Sequence, residues 1–331
     1  MKHTFLVTLV LVGLFILSQL IGLALIAKES LVEQTPQGIV VNYPDTAMGG
    51  RPDTTGGASL LYVVIGIGLG TLLVLVLVRF QKINIWRVWF FFAVWMAISI
   101  SVGVFEKMSV TGIPFDIALV AGAVLAFLKL RFHNMIIHNA TEVLMYSGIA
   151  LLLSPIFDLL WASVLLVVIS IYDAYAVWKS KHMVAMAKFQ TKSNLFAGML
   201  INYHRPDDET STKSSTLAIR KAIPESSMKA RRPVRQRVVA AAQKATGMKS
   251  AILGGGDIAF PLIYSGVVLK WLLGKGLDKT SAFMHANIIT VCAALALLGL
   301  FAFAKKDKFY PAMPFISAGC FVGLGVLWLT L

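Results

Sequence analysis

The chain has 331 residues, 57% of them apolar and only 14% charged, with a mean hydropathy of +0.78. A soluble domain is about half apolar and about a quarter charged. Soluble enzymes, secreted disulfide scaffolds and disordered proteins are therefore excluded, and so is a membrane β-barrel, whose strands alternate polar and apolar residues over about 10 positions.

Apolar runs near 20 residues, enough to cross a hydrocarbon core roughly 30 Å thick, recur along the whole chain. They predict an all-α polytopic membrane protein with nine transmembrane helices. The first span covers 4–27 and opens on the basic Met1-Lys2-His3; it is long for a signal peptide and no clear A-x-A site follows it. The second covers 59–78, after a segment (28–58) that reads as irregular. The third covers 85–105, and the fourth runs from just after Pro114 to Leu130. The fifth, 134–154, is the least well defined, because His138, Asn139, Thr141 and Glu142 crowd its first half. The sixth is 155–178, the seventh 251–273, the eighth 283–304 and the ninth 314–331. Three regions follow: 1–178 with six helices, a basic loop over 179–250, and 251–331 with the last three. Cys292 and Cys320 both fall inside apolar runs and suit core positions, not a metal site or a disulfide.

The charge of +14 becomes informative once threaded through these spans. Alternate connections carry 24 of the 30 Lys and Arg residues on one side and 5 on the other, with Lys270 inside the seventh span. Basic residues collect on the cytoplasmic side, so the N-terminus is expected inside, the C-terminus outside, and loop 179–250 in the cytoplasm. Within that loop, 205–216 reads as a flexible polar stretch, and 231–240 is basic with interleaved apolar residues, suited to anionic lipid head groups. No stacking aromatics accompany the charges, so nucleic acid is not an expected partner.

A carboxylate within a span is costly and marks a functional candidate by default. Asp116 and Asp158 lie within a turn of Pro114 and Pro155, where an acid suits a helix N-terminus. Glu142 lies deeper, in the poorly defined fifth span. Asp173 and Asp257 stand apart: each is 6 to 8 residues from its nearest lysine, Lys179 and Lys249. At 1.5 Å per residue that places both roughly 9–12 Å inside the cytoplasmic face, on consecutive spans of opposite direction. Two carboxylates meeting in a low-dielectric site share a proton and titrate as a pair, the arrangement by which an aspartic protease activates water.

Two further elements lie near this depth. Gly254, Gly255 and Gly256 precede Asp257 and permit close backbone approach, including strand pairing with a peptide. Phe309-Tyr310-Pro311-Ala312-Met313-Pro314-Phe315 places two prolines at the cytoplasmic start of the ninth span, a stiff non-helical corner.

Together these elements resemble the GxGD intramembrane aspartyl proteases, the family of presenilin and signal peptide peptidase. Tyr172-Asp173 resembles the YD motif, Gly254-Gly255-Gly256-Asp257 the GxGD motif, and Pro311-Ala312-Met313 the PAL motif with Met in place of Leu, followed by Pro314. The motifs fall in family order on the sixth, seventh and ninth spans. The resemblance implies a presenilin-like fold and an endopeptidase that hydrolyses peptide bonds within transmembrane segments of membrane-protein substrates. It assigns Asp173 and Asp257 to catalysis and the PAL-like corner to holding substrate, with no cofactor or metal. The orientation is similar to presenilin and opposite to signal peptide peptidase. The short ends resemble an archaeal-type single-chain homologue, for which obligate partner subunits are not expected.

Two other readings stand beside it. A prepilin-type peptidase also has two membrane-face aspartates, but its GxGD is typically followed by a basic residue two positions on; here Ile258-Ala259 follow, and Pro311-Ala312-Met313 goes unexplained. A proton-coupled secondary transporter also has paired acids and glycine-broken helices, but the chain shows no clear internal repeat. No H-E-x-x-H or G-x-S-x-G is present, and His133 and His138 are five apart, not four.

Overall fold

The computed structural model describes residues 5–36, 38–80, 82–105, 117–132, 134–180, 196–204, 248–304 and 310–331. Asp116, Pro114, His133, Phe309 and the stretch 205–247, with its flexible and basic segments, lie outside the described residues.

Among the described residues nine α-helices occur, in the order expected: α1 Phe5–Glu29, α2 Gly57–Phe80, α3 Ile83–Gly103, α4 Ile117–Arg131, α5 Met135–Leu153, α6 Leu159–Tyr175, α7 Gly256–Gly274, α8 Lys279–Phe303 and α9 Met313–Thr330. Eight are long and apolar enough to cross a bilayer; the described part of α4 has 15 residues. Helices are what such runs must form, because each backbone N–H and C=O is then met within its own segment where water is absent. The chain is an integral, multi-pass membrane protein.

Two strand pairs add to this. The connection after α1, expected to be irregular, instead forms an antiparallel hairpin of β1 (Leu31–Thr35) and β2 (Gly38–Asn42), in register from Leu31 opposite Asn42 to Thr35 opposite Gly38. Gly38 takes a φ of 128° at the turn, a conformation that favours glycine. The second pair is β3 (Gly198–His204) with β4 (Met248–Gly254). The seventh span therefore does not begin as helix at residue 251: Ala251–Gly254 is strand, and the helix starts only at Gly256. Glycine is a poor helix interior residue, and three in a row give the helix no reason to extend backward. The helical rise used to place Asp257 thus does not hold for its lead-in, where a strand advances about 3.3 Å per residue.

The chain divides into two units, Met1–Met199 with Leu253–Leu331, and Leu200–Ile252. In the second, the described residues are 200–204 and 248–252, the inner parts of β3 and β4.

At one end of the bundle the first connection meets many helix ends. Lys28 lies 4.3 Å from the Phe105 ring centroid, Ala47 packs on Gly103, Arg51 Nε donates to Leu151 O at 3.4 Å, and Ile39 abuts Gly276. The C-terminal ends of α1, α3, α5 and α7 therefore share one side. The N-termini of α2 and α6 lie there too: Trp161 covers Gly56 and Gly57, and Ser59 Oγ donates to Ile156 O at 2.7 Å. The alternation inferred from the charges is thus built into the packing. Burial in this connection pushes the Tyr43 hydroxyl up and the Arg51 guanidinium down from their ordinary values.

Helix ends are capped as the acids suggested. The Asp158 carboxylate accepts from Trp161 N–H at 2.8 Å and caps α6. Asp278 caps α8 through Thr280 N–H and Ser281 N–H, and hydrogen bonds from Ser281 hold its carboxyl below the usual carboxylate range.

Helix α7 is the centre of the bundle, touching α1, α5, α6, α8 and α9. By contrast α2 is peripheral, burying only Ser59, Val63, Val74 and Leu77. Glycine sets several close crossings, as expected where helices pack in lipid. A Cβ on Gly148 would strike the Ala97 carbonyl of α3, and one on Gly122 would strike Ser99. Gly319 and Gly323 of α9 lie against Ile289, Cys292, Ala293 and Ala296 of α8. Cys320 is buried and both cysteines are free. Gly148→Ala is expected to cost about 1–3 kcal/mol by overpacking, measured as a lowered Tm in detergent. Gly66→Ala, in open space on α2, is expected to be neutral or to stabilise by up to about 1 kcal/mol.

Candidate active site

Asp173 lies in the last turn of α6, half-buried. Its Oδ2 accepts from Met313 N–H at 3.2 Å, and the Ala312 N–H is a second backbone donor to the same carboxylate. These are among the first N–H groups of α9. A helix leaves its leading N–H groups without intrahelical partners, and Pro314 in the first turn brings none of its own. The N-terminus of α9 has no side-chain cap of its own; a carboxylate from another helix fills that role. The crossing is reinforced one turn away, where Ser170 Oγ donates to Ser317 Oγ at 2.8 Å.

Asp257 lies in the first turn of α7, half-buried, and accepts a backbone hydrogen bond from Gly254. The Asp257 carboxylate therefore stands at the N-terminus of its own helix, and the Asp173 carboxylate, from the C-terminal end of α6, at the N-terminus of α9, where negative charge is favoured. They lie within electrostatic reach of each other. Pro261 inside α7 removes the N–H that would bond the Asp257 carbonyl.

The three glycines are not equivalent. A Cβ on Gly255 would sit 2.6 Å from Tyr146 Oη, and one on Gly254 would sit 3.0 Å from Asp257 Oδ2. Gly256 is exposed, and a Cβ there would meet Phe260 only at ordinary contact distance. Close packing thus demands glycine at Gly255 and favours it at Gly254, not at Gly256.

The other motif residues divide in the same way. Ala312 and Met313 reach Asp173 through their backbones, while Pro311 and the Met313 side chain are buried. Tyr172 is 40% exposed. Pro314 lines a cavity of about 670 Å³ between α8 and α9, with Cys292, Gly299, Phe303, Tyr310 and Val322; neither aspartate borders it.

Several residues near the site were not singled out by sequence. Gln19 of α1 is fully buried, and its Nε2 donates to Ile258 O, next to Asp257, at 2.8 Å. Its signal was an amide inside an otherwise apolar span. Tyr146, which presses on Gly255, carried no signal. Lys129, counted among the cytoplasmic loop charges, is 6% exposed and paired with the fully buried Glu142; it belongs to the bundle.

Residues 12–330 match the family described as signal-peptide peptidase, presenilin aspartyl protease. The chain belongs to this family, a class of aspartic proteases acting within membranes. Two solved structures, both of a presenilin family intramembrane aspartate protease, share its fold. In the C222 crystal form the TM-score is 0.56 at 16% identity, covering 96% of this chain and 95% of the other. In the P2 form it is 0.55 at 17% identity, covering 97% of each. No curated protein matches the chain.

Gly255→Ala is expected to lower proteolysis at least about tenfold, since displacement of a reacting group by about 1 Å costs on the order of 100-fold. Gly256→Ala is expected to stay within about twofold. Cleavage rates of a purified single-span peptide decide between them.

Proposed function

We propose that the chain hydrolyses peptide bonds within transmembrane segments of membrane-protein substrates, with Asp173 and Asp257 as the catalytic pair. The observation that carries this is the convergence of two carboxylates from α6 and α7, within electrostatic reach, at the leading ends of α7 and α9. In a low-dielectric site such a pair holds one proton between its members. The ionised carboxylate takes a proton from a water molecule as the water oxygen bonds to the scissile carbonyl carbon. The protonated carboxylate gives its proton to the carbonyl oxygen, forming a gem-diol. Proton transfer to the amide nitrogen then accompanies C–N cleavage and regeneration of the carbonyl, which leaves an acid and an amine and restores the singly protonated pair.

The remaining motif residues support this reading. The Pro311-Ala312-Met313-Pro314 corner brings backbone donors to Asp173, and Gly254 and Gly255 let their own backbone pass close to Asp257 and Tyr146. An extended substrate segment, which a scissile helix must become before attack, is the form that backbone pairing recognises. No metal or cofactor takes part, and no partner subunit is required. The odd-numbered helices run in one direction, and with the basic residues this supports a cytoplasmic N-terminus, a cytoplasmic segment 179–250 in contact with anionic lipid, and an extracytoplasmic C-terminus.

Asp173→Asn and Asp257→Asn are each expected to abolish cleavage of a single-span substrate in detergent or liposomes while the chain stays folded; near-unaltered activity in either would end the two-aspartate assignment. Orientation is tested with Thr212→Cys in a chain carrying Cys292→Ala and Cys320→Ala. A membrane-impermeant maleimide should label it from the cytoplasmic side only, and labelling in intact cells would invert the topology.

A further inference from the structure

Glu142, an acid in the middle of the fifth span that the proposed chemistry does not use, is fully buried and is met from three sides. Lys129 of α4 pairs with Oε1 and also reaches Thr141 Oγ1 at 3.4 Å. The Tyr146 hydroxyl, one turn along α5, donates to Oε2. The backbone N–H of Gly198, the first residue of β3, donates to the same Oε2 at 3.1 Å. His138 completes the group. Its Nε2 lies 2.8 Å from Gly198 O; a carbonyl only accepts, so Nε2 carries the hydrogen. The same nitrogen is 3.7 Å from Glu142 Oε1.

Gly198 is therefore held at both of its backbone groups by side chains of α5. Its φ of +148° favours glycine, and a Cβ there would strike Leu253 O, so the strand end is pressed directly on the residue before Gly254. On the other side, Tyr146, oriented by Glu142, occupies the space in which Gly255 would carry a Cβ. One carboxylate thus fixes both the strand lying against Leu253 and the ring lying against Gly255, the two contacts that bracket the approach to Asp257. A buried ion pair adds little to stability compared with apolar residues of the same volume, so stability alone gives no reason to keep this one.

We infer that Glu142, charge-balanced by Lys129 and assisted by His138 and Tyr146, is a positioning residue for the Gly254–Asp257 turn: it sets where Asp257 stands without touching substrate. The inference rests on Asp257 being catalytic.

The test uses the full chain in detergent, with kcat, KM and Tm measured on a single-span peptide. Glu142→Leu with Lys129→Met removes both charges at similar volume, which by itself changes stability little, while the buried donors it strands lower Tm without unfolding the chain. It leaves the Gly198 N–H and Tyr146 O–H without their acceptor, so kcat should fall at least about tenfold with KM changed less than about threefold. Glu142→Gln with Lys129→Met restores an acceptor oxygen without an unpaired cation and should bring kcat back to within about threefold. A Leu/Met chain with kcat within about twofold of normal, or two double variants falling equally, overturns the inference. If the Leu/Met chain does not fold, Tyr146→Phe decides: a lower kcat at unchanged Tm supports the positioning role, and an unchanged kcat overturns it. Asp257→Asn is run alongside. Cleavage surviving there overturns both this inference and the two-aspartate reading, whereas failure confined to the Glu142 variants overturns only the positioning role.

Discussion

Inside a bilayer a charged or hydrogen-bonding group has no water to turn to, and it must find its partner within the protein. The arrangement of this chain follows from where it supplies such partners to its few acids. Asp158 and Asp278, exposed at helix ends, cap the helices that follow them, while the deeper acids take partners from elsewhere in the bundle. Asp257 stands in the first turn of α7, and Asp173, at the far end of α6, is met by the leading N–H groups of α9. Glu142, in the middle of α5, is met by Lys129 from the last turn of the preceding helix, α4. A helix N-terminus offers a carboxylate unpaired backbone donors and the positive end of the helix dipole.

The central position of α7 gives this arrangement its stiffness. The helix is packed by α1, α5, α6, α8 and α9, and close approaches such as Gly266 against Ile26 and Ser154 leave it little room to rotate. Asp257 is therefore placed by the whole bundle. Asp173 depends on fewer contacts: it sits in the last turn of α6, and its placement rests on the α6–α9 crossing and the two backbone donors of the proline corner.

Much of the architecture was legible in sequence because hydropathy is a one-dimensional property: a run of apolar residues is a span whatever surrounds it, and the nine predicted runs match the nine helices closely. The alternating directions expected of consecutive spans recur in α1, α2, α3, α5, α6 and α7, whose ends gather at the first connection. The strands were not legible. Leu31–Asn42 is a short mixed segment without clean alternation, and Ala251–Leu253 is apolar and continuous with the helix that follows, so periodicity could not separate the two. At the site, Asp173, Asp257 and the proline corner stood out because acids and prolines are scarce in spans. The difference between Gly255 and Gly256 could not be seen, because it depends on Tyr146, more than a hundred positions away in the chain. Lys129 misled for the converse reason: near the end of a span it reads as a loop charge until its carboxylate partner on the next helix is placed beside it.

The Gly319 and Gly323 pair illustrates how a signal can change its meaning once folded. By spacing alone it is a recognised invitation for two membrane helices to associate, and on a single-span protein it would predict a homodimer. Here both glycines already lie under Ile289 to Ala296 of α8. A second copy seeking that face would first have to peel α8 away along nearly two turns. Any self-association of this chain must therefore recruit some other surface, and substitutions at these glycines would weaken the monomer, not a contact between copies.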